Sequence, residues 1–404
     1  MKPPPPPTRA LLAPLEQFLR IESASANVLA AATFAAVLFA NSPWSGPYQR
    51  FWELEPLAFG PLLPHASLRF WVNDGLMAIF FLVVGAEIRQ ELHAGALADR
   101  RAAALPLIAA MGGILVPAWI YIAIARDTVL VSGWAIPTAT DIAFALGALA
   151  LIGRGCSPQM RALLLALAIA DDLGAVLIIA CFYAHSIALG ALAVALAACV
   201  ALWVLRHDRP RVAPLRTLAA IVLWLALLHG GIHPSISGAI VGFLVPVGAR
   251  GTAGTTSAPR GSSASERLQI RLHPWVAYAV MPVFALANAA IDLRAAFPEN
   301  AMLRTLTGAI VCALVIGKPL GILGSALLAV RLRIGALPAG TSLRELAVVG
   351  VLGGIGFTMS IFVAGLAFAD ACLLASAKLA VLIASLGAAL LAVALGRLGM
   401  RRLR

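Results

Sequence analysis

The chain of 404 residues is poor in charge: Asp, Glu, Lys and Arg together make up 12% of it, against about 25% in soluble domains. With hydrophobic residues at 61%, that scarcity excludes an ordinary soluble domain. Lysine is rarer still, with only Lys2, Lys318 and Lys378 among 30 basic residues. The five cysteines, Cys156, Cys181, Cys199, Cys312 and Cys372, have no metal-ligand spacing and read as small packing groups rather than a disulfide framework. No GxxxxGK[ST] run occurs, so a nucleotide-driven pump lacks its phosphate-cradling loop. A membrane aspartyl protease needs two aspartates on different helices around a GD-type motif, and no such motif occurs.

What the chain does have is long apolar runs. At ~20 apolar residues per span, polar breaks divide it into twelve expected spans near 22–41, 68–92, 103–124, 129–151, 159–183, 188–206, 214–228, 231–247, 272–290, 305–329, 345–367 and 373–396. The expected fold is an all-α polytopic membrane protein of twelve transmembrane helices. The stretch 214–247, interrupted by His229, Gly230, Gly231 and Pro234, reads as two short spans or one re-entrant pair. A disordered N-terminal segment, 1–21, opens on a proline run and shows no cleavable signal. A single transmembrane domain follows over 22–397, with a flexible Gly/Ser/Thr-rich loop at 249–267, and then a basic tail at 398–404. The one sizeable loop on the opposite side, 42–67, is aromatic. Interface anchoring and a homodimer contact suit it equally, and a short hairpin is expected over Tyr48–Phe59.

A net charge of +12 invites a nucleic-acid partner, but the distribution of charge argues against one. With twelve spans, twenty-three Lys and Arg fall on one side and six on the other, leaving Lys318 inside a span. The basic surplus is therefore a topology signal that places both termini in the cytoplasm.

Asp171 and Asp172 lie side by side in MRALLLALAIADDLGAVLIIACFY, near the middle of the fifth span. A single Asp at that depth costs ~2.5–3.5 kcal/mol on insertion scales, so a pair implies ion or proton traffic. Adjacent helical residues point ~100° apart. One carboxylate is thus free to line a water-filled path while the other meets a second element.

Two spans are interrupted. GWAIPTATDIAFALG places Pro137 beside Thr138, Thr140 and Asp141 in the fourth, and VVGVLGGIGFTMSIF places Gly350, Gly353, Gly354 and Gly356 beside Thr358 and Ser360 in the eleventh. Such breaks are tolerated at membrane depth only where the freed backbone is buried in protein or lines a cavity. Paired interruptions mark a transporter site built from discontinuous helices. Glycine-mediated helix packing explains the eleventh span but not Asp141 beside a break in the fourth. Lys318, in VIGKPLG of the tenth span, is the remaining intramembrane charge. A lysine can exchange its proton where an arginine essentially cannot, and it also serves as a static counter-charge to a buried Asp.

Taken together, GWAIPTATDIAFALG, LALAIADDLGAV, IGKPLG, GGIGFTMSIF, WVNDGLMAIFFLVVGAEIRQEL and LHPWVAY closely resemble the NhaA-type sodium/proton antiporters, in order, from about residue 20 to 395. The resemblance implies that spans three to five and ten to twelve are inverted repeats, and that spans four and eleven cross at their breaks. It implies Asp172 as principal Na⁺ ligand and Asp171 as its titrating neighbour and partner of Lys318. Asp141, with Thr140, would offset facing half-helix N-termini, and Lys318 the C-termini, in keeping with helix-dipole signs. Glu87 and Glu91 would belong to a cytoplasmic funnel and its pH response, with Asp74 near the start of the same span. His233 and His273 also match family motif positions, and structural roles suit both. The sequence departs, before LHPW, from the pattern of family members with strong pH regulation: Gln269 and Ile270 replace an acidic residue and a histidine, with Glu266 one turn earlier.

The implied function is exchange of Na⁺ or Li⁺ for H⁺ across the bacterial inner membrane, by alternating access and without enzyme chemistry or cofactor. Two carboxylates permit two protons per Na⁺. A sodium-coupled symporter of an organic solute would share the broken helices and is the rival reading.

Overall fold

The computed structural model describes residues 7–55, 66–93, 95, 97–153, 157–184, 187–206, 212–246, 264–297, 300–337 and 341–400. Every regular element among them is helical. The principal helices, in order, are α1 (Pro7–Ala40), α2 (Ser45–Glu53), α3 (Leu68–His93), α4 (Arg100–Ile124), α5 (Thr128–Thr138), α6 (Ile142–Ile152), α7 (Pro158–Phe182) and α8 (Leu189–Val204). They continue as α9 (Ala213–His229), α10 (Ile236–Leu244), α11 (Ser265–Asn288), α12 (Ala301–Arg331), α13 (Leu343–Gly353), α14 (Phe357–Ala367) and α15 (Ala371–Met400).

Among the described residues, seven helical runs are long and apolar enough to cross a membrane, or nine if each of two bent pairs, α1–α2 and α5–α6, counts as one span. Helix occupies part of each of the twelve ranges expected from the sequence. α8, α9 and α10, at 16, 17 and 9 residues, are shorter than the ~20 needed for a perpendicular span.

Two local expectations differ from what is observed. The hairpin expected over Tyr48–Phe59 is instead the helix α2, turned 115° from α1; residues 56–65 lie outside the described residues. The reason is the spacing of its aromatics. Tyr48 and Trp52 are four apart and share one helical face. Trp52 is buried there, and the Tyr48 hydroxyl donates to the Leu286 carbonyl at 2.6 Å. At the N-terminus, α1 is already helical from Pro7, within the segment expected to be disordered. Proline is tolerated in a first helical turn, and the Ala, Leu, Glu and Arg residues that follow favour helix. The loop expected to be flexible falls largely outside the described residues.

Glycine seams fix the register of the helices that carry the charged residues. Where α3 meets α10, Gly85 lies against Ala239, Gly238 against Ala78 and Gly242 against Leu82, backbone on backbone. A Cβ at any of the three would collide with the facing main chain. α4 and α12 approach in the same way through Gly112 and Gly321. This close packing of small residues is how helices associate where the solvent is itself apolar. The first seam sets the position of Glu87 on α3, the second that of Lys318 on α12.

Candidate functional site

The site begins with two breaks. In the fourth span, helix ends in a tight turn at Ile136–Thr138, the chain runs extended through Ala139, and α6 restarts at Ile142 after a 52° bend. The regular helical run has already ended at Val131, and Pro137, which supplies no N–H, lies inside the tight turn that follows. In the eleventh span, α13 ends at Gly353 and α14 begins at Phe357. The glycines between them are required by proximity: a Cβ on Gly354 would sit 2.5 Å from the Leu314 carbonyl, and one on Gly356 would sit 3.1 Å from that of Ala139. The two breaks touch, with the Asp141 N–H donating to the Ile355 carbonyl at 2.7 Å.

Each break exposes backbone donors at one helix start and acceptors at one helix end. Asp141 serves both starts. Its Oδ1 accepts from Phe144 N at 3.0 Å, capping α6, and its Oδ2 accepts from Thr358 N at 3.1 Å and from the Thr358 hydroxyl, capping α14. One carboxylate thus meets two partially positive helix ends. Ser385 Oγ accepts from Phe357 N at 3.1 Å, and Ser360 Oγ donates to the Ile136 carbonyl at 2.7 Å.

The helix ends are served from the opposite charge. Lys318 Nζ, fully buried, donates to the Thr138 carbonyl at 2.7 Å, to Thr140 Oγ1 at 2.7 Å and to Asp171 Oδ2 at 2.6 Å. All three ammonium protons are therefore committed. The Thr140 hydroxyl lies 2.5 Å from Asp171 Oδ2 and 2.9 Å from the Gly353 carbonyl at the end of α13. With one proton to give, it donates to one of these at a time. Lys318 thus reaches the fourth-span end directly and the eleventh-span end through Thr140.

α7 brings the aspartates to this point. Ser157 caps it, Pro158 opens it, and both carboxylates are buried half-way along. Asp171 points to Lys318. Asp172, turned the other way, lines a cavity of about 50 Å³ shared with Thr140, Asp141 and Thr358 on the broken spans and with Glu87 and His273 on α3 and α11. That volume holds one or a few water-sized occupants. The Oδ1 atoms of Asp171 and Asp172 have no hydrogen-bond partner among the described residues. A buried anionic oxygen left so is costly unless a proton or cation occupies it.

A second cavity of about 120 Å³ meets the first at Glu87. Glu87 lines both, and Gln90, Glu91 and Gln269 line the second. Glu87 Oε1 is 3.5 Å from His273 Nδ1. Gln269 therefore faces this vestibule, whereas Ile270 and Glu266 are exposed. Asp74 stands apart, 3.3 Å from His233 Nε2, in a widened helical turn over Trp71–Leu76. The structure thus brings together Asp141, Thr140, Asp171, Asp172, Lys318 and the glycines of the eleventh span. It puts Glu87, Glu91 and His273 along one approach and leaves Asp74 and His233 outside it. Thr358 and Ser360 appeared in the sequence only as polar neighbours of a glycine run, and Ser385 gave no signal at all.

These features define a polytopic membrane protein with a buried, charged site at two helix breaks. The sequence model of the Na⁺/H⁺ antiporter 1 family matches residues 16–395. The chain belongs to that family. It is 45% identical over 430 residues to the Na⁺/H⁺ antiporter NhaA 2 of Sorangium cellulosum, covering 97% of this chain and 91% of that protein. It is 47% identical over 386 residues to the Na⁺/H⁺ antiporter NhaA of an Acidovorax species, covering 95% and 91%. To the Na⁺/H⁺ antiporter NhaA of Serratia proteamaculans it is 44% identical over 394 residues, covering 96% and 99%.

Proposed function

We infer that this chain exchanges Na⁺ for H⁺ across a membrane, with Asp172 as the carboxylate that binds each in turn. The observation that carries this reading is the unpartnered Asp172 oxygen in a cavity shared with Asp141, Thr140 and Thr358. Na⁺, like other hard cations, prefers oxygen ligands, and carboxylate, hydroxyl and backbone carbonyl groups supply them here. A proton competes for the same carboxylate. A site that turns from one side of the membrane to the other with either occupant, but not empty, exchanges the two without ATP.

Asp171 is the second titrating group. Its bond to Lys318 holds the charge while Na⁺ is absent; protonation of Asp171, or proton loss from Lys318, releases the pair. Two protons per Na⁺ then makes transport electrogenic and couples it to membrane potential. Li⁺ has the same ligand preference and is a second substrate. Glu87, Glu91 and His273 line the route by which ions reach Asp172 and carry part of the pH response, with Asp74 a further contributor. We read the architecture as twelve passages, α8–α10 supplying the short ones, with inverted repeats over spans three to five and ten to twelve. The interrupted fourth and eleventh spans cross at their breaks. The charge asymmetry supports an inner-membrane protein with both termini cytoplasmic, and α2, beside the aromatic loop, suits a homodimer contact.

The test is purified protein in proteoliposomes with a pH-sensitive dye inside. Na⁺ added with no other solute is expected to move protons, faster with the membrane potential that drives net charge movement. Proton movement only when an organic solute accompanies Na⁺ would replace antiport by symport. Exchange indifferent to potential would remove the two-proton stoichiometry.

A further inference from the structure

The first half of the fourth span is short of hydrogen bonds of its own. It is regular helix only over Thr128–Val131, and turns follow as far as Thr138. Carbonyls in such a stretch lack the amide four residues on, and when buried they must find side chains. Four of them do, from four separate elements. The Leu130 carbonyl accepts from the Tyr121 hydroxyl of α4 at 2.7 Å. The Ser132 carbonyl accepts from the hydroxyl of Tyr183, which ends α7, at 2.9 Å. The Ile136 and Thr138 carbonyls accept from Ser360 on α14 and from Lys318 on α12. The last two partners belong to the ion site already described, whereas the two tyrosines have no part in it.

Both tyrosines are buried. The Tyr121 hydroxyl lies against Gly133, as does the Phe368 ring at the end of α14, and a Cβ at Gly133 would collide with both. Among the described residues, no backbone N–H donates to the Ser132 carbonyl, so Tyr183 supplies its hydrogen bond. The place of Tyr183 ties this contact to the ion site. It stands about three helical turns beyond Asp172. α7 therefore grips the fourth span twice, at Ser132 through Tyr183 and at Thr140 through Asp171, on either side of Pro137. Tyr121 adds a third hold from α4, the helix whose glycine seam with α12 sets the position of Lys318.

We propose that Tyr121 and Tyr183 are positioning residues for cation binding, holding the first half of the fourth span so that Thr140 and Asp141 stand opposite Asp172. The proposal rests on the exchange at Asp172 inferred above. Neither tyrosine lines the ion cavity, so each acts through the backbone that runs from Leu130 to Asp141. A buried tyrosine suits that task, because its rigid ring carries one hydroxyl to a fixed point. A ligand set held in place before the ion arrives spares the cost of ordering it on binding. The hydroxyls therefore act on Na⁺ affinity rather than on turnover at saturating Na⁺. A merely structural hydrogen bond would act on stability alone.

The experiment compares Tyr121→Phe and Tyr183→Phe with the full-length parent, each losing one hydroxyl and keeping its ring. Na⁺-driven proton movement in proteoliposomes is measured over a Na⁺ series at one pH, and amide hydrogen exchange is measured on the same proteins. Each variant is expected to raise the half-saturating Na⁺ concentration about three- to tenfold, roughly the worth of one neutral hydrogen bond. The saturated rate should change little, and amides over 132–140 should exchange faster. Gly133→Ala keeps both hydroxyls but drives a methyl against that of Tyr121, and should reproduce the loss of affinity. Tyr48→Phe is the control, since it too removes a hydroxyl that donates to a backbone carbonyl, that of Leu286. It should leave the half-saturating concentration where it is. An unmoved half-saturation in both tyrosine variants would overturn the proposal, as would an equal shift in Tyr48→Phe or faster exchange spread evenly over the chain. A parent that moves no protons with Na⁺ would refute the exchange reading instead, and local amide exchange would still decide whether the hydroxyls hold the half-span.

Discussion

Asp171 and Asp172 are consecutive on one helix and bound to opposite tasks: Asp171 Oδ2 is 2.6 Å from Lys318 Nζ, while Asp172 faces the cavity toward Glu87 and Asp141. The ~100° between adjacent helical residues turns a sequence doublet into one carboxylate paired with Lys318 and one that faces the cavity. That division accounts for the presence of two carboxylates at one depth.

Lys318→Ala is expected to destabilise the protein by ~3–5 kcal/mol, the cost of stranding one partner of a buried pair. It leaves the Thr138 carbonyl, Thr140 and Asp171 without their shared donor. Asp171→Asn combined with Lys318→Gln removes both charges together and should recover most of that loss. Melting in detergent decides the matter: a double mutant no more stable than Lys318→Ala would show that the pair is not the source of the stability.

Asp141→Ala removes the cap of α6 and the cap of α14 at once. At ~0.5–2 kcal/mol per cap, a loss of ~2–3 kcal/mol is expected. Asp141→Asn, which keeps an acceptor oxygen, should lose less. Equal losses for the two substitutions would mean that the negative charge, rather than the hydrogen bonds, carries the stabilisation.

Much of this site could be read from residue order. The midplane doublet, the proline beside Asp141, the glycine run and the lysine in the middle of the tenth span each violate what a lipid-facing helix tolerates, so each announces a function. Other parts were not legible. That Asp141 caps two helices depends on the meeting of spans 217 residues apart in sequence. Ser385 is one hydroxyl in an apolar helix, and hydroxyls there are common. The loop after α1 became a helix rather than a hairpin because the Tyr48 and Trp52 faces found a buried surface, a tertiary contact that local pattern does not encode.

The proposed exchange at Asp172 implies a pH response through competition. A protonated Asp172 does not bind Na⁺, so apparent Na⁺ affinity should fall as pH drops while the rate at saturating Na⁺ changes little. Gln269 occupies the vestibule where an ionisable group would add gating. Initial rates over a Na⁺ series at several pH values on either side of neutrality separate the two. A steep collapse of the saturated rate at low pH, relieved by Glu87→Ala, would place gating in the vestibule instead.

Gly238→Val places a branched side chain against the Ala78 main chain of α3. Forcing apart a close-packed pair typically costs ~1–3 kcal/mol, and here it also displaces Glu87. Reduced stability together with reduced apparent Na⁺ affinity is expected, from melting and from transport. Unaltered affinity would show that α3 does not shape the approach to Asp172.

The central claim is that Asp172 alternately holds Na⁺ and H⁺, and one measurement addresses it most directly. Asp172→Asn keeps shape and removes charge, so the purified variant should insert and melt close to the parent. In proteoliposomes with a pH-sensitive dye, a Na⁺ gradient that drives proton movement through the parent protein is expected to drive none through Asp172→Asn. Robust Na⁺-driven proton movement through that variant would contradict the account.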